Sequence, residues 1–176
     1  MRELYAKLTK LFPLGELAEQ RRNLAFVTVP REHLRSLLLE LRDRHGFSHL
    51  VLLTAVDWLE QSQFQLTYLL CNRHKAIDLG LRVMLPREDA SMESMHDIWP
   101  TAATYQRELR EMFGIDFPGS PGVNDDFILE GWNDIPPYRR DFDTLKYSEE
   151  SYNHRPGRET RDPAQYMKDQ LYADDT

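Results

Sequence analysis

Ser48-His-Leu-Val-Leu-Leu-Thr-Ala-Val-Asp-Trp58, Phe64-Gln-Leu-Thr-Tyr-Leu-Leu70 and Ala76-Ile-Asp-Leu-Gly-Leu-Arg-Val-Met-Leu85 follow one another along the chain, and their succession decides the fold. The first is nearly continuous in apolar residues, as in a central strand covered on both faces. The second alternates more, and the third places Ile77, Leu79, Leu81 and Val83 at every other position before Pro86, the period of a strand. The short polar Gln61-Ser62-Gln63 connection favours an antiparallel hairpin between the first two.

On the N-terminal side, Glu32 to Arg44 reads as a helix: Leu34, Leu37, Leu38 and Leu41 form one stripe, charges fill the other face, and Gly46 closes it. Before it, Leu24 to Val29 is a brief strand stopped by Pro30, and Leu4, Leu8, Leu11 and Phe12 predict an opening helix that ends at Pro13. On the C-terminal side a helical region spans about Ser91 to Phe113, interrupted or restarted at Pro100. Its last turns carry Tyr105, Leu109, Met112 and Phe113 at i, i+4, i+7 and i+8, with Gln106, Arg107, Arg110 and Glu111 off that stripe. Gly114 stands where a left-handed C-cap residue belongs. Helix, strand, helix, three strands, helix is not an alternating parallel-sheet order. It predicts an α+β class: a two-layer domain with helices packed on a mixed sheet.

Composition changes near Pro118, which divides the chain into a core domain, 1–117, and an extended loop and C-terminal arm, 118–176. Gly, Pro, Asn and Asp crowd Pro118 to Asp126, and Ile135-Pro136-Pro137 excludes regular structure. Beyond Asp141, charges mix with Phe142, Tyr147, Tyr152, Tyr166 and Tyr172. Disordered linkers lack such aromatics, so the pattern predicts an extended arm that lays rings into pockets of a partner.

The 176 residues suffice for one domain with a hydrophobic core plus this extension. A formal net charge of -7 argues against a nucleic-acid partner, which demands a basic face. The single cysteine, Cys71, excludes an internal disulfide and an all-cysteine metal site. The N-terminus has no apolar core like a signal peptide's, and the run from Leu50 to Val56 is too short to span a bilayer. Participation in a membrane process therefore requires docking by a partner.

Catalytic patterns are scarce. The six histidines, His33, His45, His49, His74, His96 and His154, show no metal-ligand spacing. Phe117-Pro-Gly-Ser-Pro-Gly122 lacks the Gly-x-Ser-x-Gly spacing of a nucleophile elbow, and no Gly-rich phosphate loop follows a strand. Asp116, Asp125, Asp126 and Glu130 read as solvated loop acids; a stand-alone hydrolase using them is the alternative of another class, and a free adaptor is a second. Arg139-Arg140-Asp141 offers guanidinium forks suited to a partner's carboxylates. Trp58 and Trp99 belong to the core or its rim, and Trp132, among loop residues, is the candidate interface anchor.

Several segments then fall into a familiar order: Leu53-Thr-Ala-Val-Asp-Trp58, Arg82-Val-Met-Leu-Pro-Arg-Glu-Asp89, Ile98-Trp-Pro-Thr-Ala102, Gln106-Arg-Glu-Leu-Arg-Glu-Met-Phe-Gly-Ile115, Phe117-x-Gly-x-Pro121 and Pro137-Tyr-Arg-Arg-Asp141. From about Asn23 to Phe142 the chain resembles the NuoC-type subunit family of respiratory complex I, NADH:quinone oxidoreductase, and of related energy-converting membrane-bound hydrogenases. Arg107, Glu108, Phe113 and Gly114 keep the family's helix pattern. Gln106 replaces a Glu, Arg110 a Trp, Glu111 an Asp and Ser120 a His, departures that suit a divergent branch, such as a membrane-bound hydrogenase or a ferredoxin-linked complex.

The resemblance implies a two-layer α+β fold and a scaffold subunit without catalytic residues, metal or cofactor of its own. It implies iron–sulfur clusters in partner subunits and a hetero-oligomer in the peripheral arm of an ion-pumping oxidoreductase, at the cytoplasmic face of the membrane. The large hydrogenase-related subunit and neighbouring iron–sulfur subunits would be the partners, with the membrane arm touched only indirectly and the C-terminal extension running along the large subunit. Arg107, Glu108, Phe113, Phe117, Trp132, Arg139, Arg140, Tyr147 and Tyr152 are the candidate partner-binding residues.

Overall fold

Five strands, β1 (Ala18–Arg21), β2 (Leu24–Thr28), β3 (His49–Trp58), β4 (Gln63–Asn72) and β5 (Ile77–Pro86), form one mixed sheet in the order β1-β2-β5-β4-β3. This is a computed structural model, and it describes residues 1–152. β3, β4 and β5 pair antiparallel as their short connections require, and β2 joins β5 in parallel. The helices are α1 (Arg2–Leu8), α2 (Leu34–His45), α3 (Ala102–Phe113) and α4 (Thr144–Ser151).

Strand alternation sorts the side chains onto two faces. Phe64, Leu66, Tyr68 and Leu70 of β4 stand in register with Leu85, Val83, Leu81 and Leu79 of β5, and all are buried. They join the α2 leucines, 34, 37, 38 and 41, and Leu109, Met112 and Phe113 of α3 in one apolar cluster. At about 25 cal/mol per Å² of apolar area, this burial is the main force holding the domain. Gly46 and Gly114 end α2 and α3 at φ of 74° and 77°, left-handed conformations that glycine adopts without a steric penalty.

The structure departs from the sequence expectations at several points. β3 lies at the sheet edge rather than its centre. α3 and the segment before it close part of its free edge, where Tyr105 Oη donates to the Val51 carbonyl at 3.0 Å and Trp99 Nε1 to the Ser48 carbonyl at 3.0 Å. β1, with every residue exposed, carries no alternation from which to predict it. The opening helix stops at Leu8, and Leu11 points into solvent. Helix begins only at Ala102, not Ser91. The residues before it bury Met92, Met95, Ile98 and Trp99 as irregular chain, because Met92 and Ala90 exchange backbone hydrogen bonds with Asp116.

One compact unit runs from Met1 to Phe142, past the Phe117 boundary suggested by composition, and a second begins at Asp143. Within the stretch expected to be an extended arm, Thr144–Ser151 is helical, started by Asp143, whose carboxylate accepts from the Leu145 and Lys146 N–H groups. Tyr166, Tyr172 and His154 lie outside the described residues.

Candidate partner-docking site

Residues 118–142 have almost no regular structure, yet they are fastened to α3 and the end of β3 at a few polar points. On α3, Glu111 turns away from the core stripe and accepts three backbone N–H groups with one carboxylate: Phe127 at 2.6 Å, Ile128 at 2.9 Å and Leu129 at 3.1 Å. Hydrogen bonds to an ionised acceptor are roughly twice as strong as neutral ones, so one side chain fixes a turn of loop. Farther along, the Tyr138 N–H donates to the Met112 carbonyl at 3.0 Å, just before Gly114 ends the helix.

The second fastening is ionic. Asp57, on the inner face of β3, has a side chain only 1% exposed and is met by Arg87 in a two-point fork at 2.8 and 2.9 Å. The Arg140 N–H adds a third hydrogen bond to Asp57 at 2.8 Å. Arg87 reaches on to Asp141 at 2.7 Å, and Arg139 forks onto the same Asp141. Burial alone would raise the Asp57 carboxyl, but Arg87 and the Arg140 N–H outweigh it and hold the group below the usual carboxylate range. The Arg87 hydrogen bond, opposed by burial and aided by Arg139, lowers Asp141 to about 2. Arg87 is pushed above the usual arginine range by the two acids.

Arg139 and Arg140, expected to grip a partner's carboxylates, also form ion pairs within the chain: Arg139 with Asp141, and Arg140 Nη1 with Glu60 at 2.6 Å. Phe113 and Phe117 are core residues. Phe117 is fully enclosed, and Phe113 sits edge-on between Phe64 and Tyr138, with ring centroids 6.0 and 5.7 Å away. Trp132 is half-buried, donates to the Ile135 carbonyl at 3.1 Å and meets Phe142 edge-on. Gln106 belongs to the buried side of α3, where the Ser94 hydroxyl donates to it at 2.7 Å. A Glu there would bring a charge into the core, which the amide avoids.

Arg107 is different. Half-buried, it stacks on Phe127 at 5.2 Å and its Nε is buried without a hydrogen-bond partner. Among the described residues no acid pairs with it. It lines a shallow cleft with Trp132, Leu129 and the acids Asp125, Asp126 and Asp134. Glu108 follows it, also half-buried. Tyr147 and Tyr152 belong to the second unit, Tyr147 within α4 and Tyr152 at its end. Glu111, Asp57 and Arg87 are the fastening residues that sequence reasoning missed. An acid at an inward strand position was the available signal for Asp57. The described residues contain no group of three or more His, Cys, Asp or Glu able to hold a metal ion, and Asp116 is tied to Arg110.

The site is thus an irregular segment pinned at fixed points to an α+β body. The family described as respiratory-chain NADH dehydrogenase, 30 Kd subunit, matches residues 27–148, and the chain belongs to that family. The C subunit of the NADH-quinone oxidoreductase of Moorella thermoacetica is 32% identical over 141 residues, covering 77% of this chain and 90% of the relative. That of Ruegeria pomeroyi is 33% identical over 127 residues, covering 70% of this chain and 61% of the relative. Among solved structures, a chain of the membrane-bound sulfane sulfur reductase, an archaeal respiratory membrane complex, superimposes with a TM-score of 0.82 at 27% identity, covering 92% of this chain and 96% of that one. The chain is thus a subunit of a complex I-like, multi-subunit membrane complex, and no helix among the described residues is long and apolar enough to cross a membrane.

Proposed function

We propose that this chain is a cofactor-free scaffold of the peripheral arm, docking the large hydrogenase-related subunit on the cytoplasmic side of the membrane. The observation that carries the reading is the pinned segment 118–142. Glu111 and the Asp57–Arg87–Asp141 cluster hold it in place, while it turns Ile128, Ile135 and Tyr138 to solvent at 69%, 41% and 59% exposure. Apolar side chains held rigidly in the open suit a protein interface, because their order is not lost again on binding. The cleft beside Arg107 and Trp132 belongs to the same surface. Electron transfer and any ion pumping would then reside in other chains, with iron–sulfur clusters there. The complex would be of the NADH:quinone type, as the C-subunit relatives suggest, and the similarity to the sulfane sulfur reductase chain fits the alternative, a related energy-converting complex. Nothing in the loop acids supports a hydrolase.

Co-purification with the large subunit tests this. A chain ending at Phe142 keeps the first unit whole but loses the arm, and its recovery in the complex should drop about tenfold, a loss of roughly 1.4 kcal/mol of docking. Ile128→Asp, on the pinned segment, should lower recovery in the same assay. Undiminished recovery of both variants would overturn the proposal.

A further inference from the structure

We infer that the open face of the sheet docks an apolar surface of a neighbouring subunit that presents one carboxylate to Arg82. The inference deepens the scaffold reading and rests on the chain's assembly among other subunits.

The helices cover only one face of the sheet. On the other face the register sets Phe26, Gly80, Leu69 and Leu52 in a row across four strands. The next row is Thr28, Arg82, Thr67 and Thr54. Beyond it Met84, Gln65 and Val56 stand side by side, and Trp58 follows on the edge strand. Val56 and Trp58 are 42% and 39% exposed. In a chain with 29% charged residues, these rows hold a single charge, that of Arg82.

Arg82 is built into its place. Gly80 has no side chain, and a β-carbon there would lie 2.2 Å from the Phe26 ring, so the ring occupies that space. The Arg82 guanidinium lies over the same ring at 4.3 Å. Its Nε is buried and without a hydrogen-bond partner, and no acid among the described residues forms an ion pair with it. The acid on this face of its own strand, Asp78, stands four residues away beside Cys71. A guanidinium held over an aromatic ring, with its Nε unpaired and Phe26, Leu69 and Met84 close by in the register, suits a carboxylate buried against it. Thr28 and Thr67, on either side, add hydroxyl donors. A partner surface without an acid would leave this guanidinium desolvated and unpaired, which is costly. A strongly charged partner would instead desolvate its other charges against Phe26, Leu69 and Met84. Complementarity therefore selects an apolar surface with one Asp or Glu near its centre, the usual arrangement of an arginine anchor in an interface.

The test uses the full chain in its native membrane complex. Hydroxyl-radical footprinting should show Met84 and Trp58 several-fold less reactive in the complex than in the isolated chain. The Arg82→Lys variant, treated with a zero-length carboxyl-to-amine cross-linker after assembly, should link position 82 to an Asp or Glu of another subunit. Arg82→Met should reduce recovery in the complex about tenfold while the isolated variant still unfolds in one cooperative transition. A cross-link to a second copy of this chain, or to an acid of the same chain, would overturn the inference. So would equal reactivity of Met84 and Trp58 in both states, which decides the matter even where the lysine variant does not assemble. Failure of the wild-type chain to co-purify at all would instead overturn the scaffold reading beneath it.

Discussion

The sheet and the segment 118–142 belong to one unit but are held by opposite means. In the sheet, β4 and β5 share a ten-residue ladder and bury an unbroken row of Leu, Val, Phe and Tyr, so stability is spread over many small contacts. The segment buries little and makes no ladder. It relies on Glu111, with three backbone N–H groups on one carboxylate, and on the Asp57–Arg87–Asp141 cluster. Spread contacts tolerate single losses, whereas a few charged fastenings concentrate the sensitivity. The contrast also suits the role: a body that does not move, and a surface whose shape a handful of residues can set.

The largest effect should come from Asp57→Ala, which leaves Arg87, its side chain only 11% exposed, with Asp141 as its one remaining acid and takes the acceptor from the Arg140 N–H. Loss of one partner from such a buried pair costs on the order of 3–5 kcal/mol, to be read from urea unfolding of the full chain. Leu81→Ala, at the centre of the ladder, should cost about 2–5 kcal/mol. It should lower the protection of sheet and segment amides together, since the core supports both. Glu111→Ala should cost less, about 1–3 kcal/mol for N–H groups left without an acceptor. Its effect should concentrate on Phe127, Ile128 and Leu129, measured by hydrogen exchange.

Acid provides the gentlest break. Asp57 and Asp141 both have depressed carboxyls in the folded chain, Asp141 to about 2. The stability they contribute is fully present above the unfolded value near 4 and is lost as pH falls through the folded value. For partly exposed Asp141, the loss between about pH 4 and pH 2 should be on the order of 1–2 kcal/mol after solvent screening. Asp141→Asn should flatten that part of the stability profile.

The same contrast governs what can be read from the residues. The strand trio, the α2 leucine stripe and the glycine stops are legible because periodicity and left-handed caps are local properties. The edge position of β3 is not, since an apolar run does not say where in a sheet its strand lies, and here Tyr105 and Trp99 take up backbone carbonyls on its free edge. The fastenings are the least legible. Arg140 meets Asp57 across 83 positions, and Arg87 meets it across 30. A guanidinium reads alike in sequence whether its acid lies in the same chain or in another. Glu111 reads as a solvent-facing charge because its partners are backbone groups, which carry no side-chain signature.

The double variant Asp57→Asn, Glu111→Ala, followed by residue-resolved hydrogen exchange in the full chain, tests the central claim that these two fastenings hold the docking segment on a self-sufficient body. The amides of Phe127, Leu129, Tyr138 and Arg140 should lose their protection while those of Leu66 and Leu81 in the sheet stay protected. Segment amides as protected as in the unmodified chain, or segment and sheet losing protection in step, would contradict it.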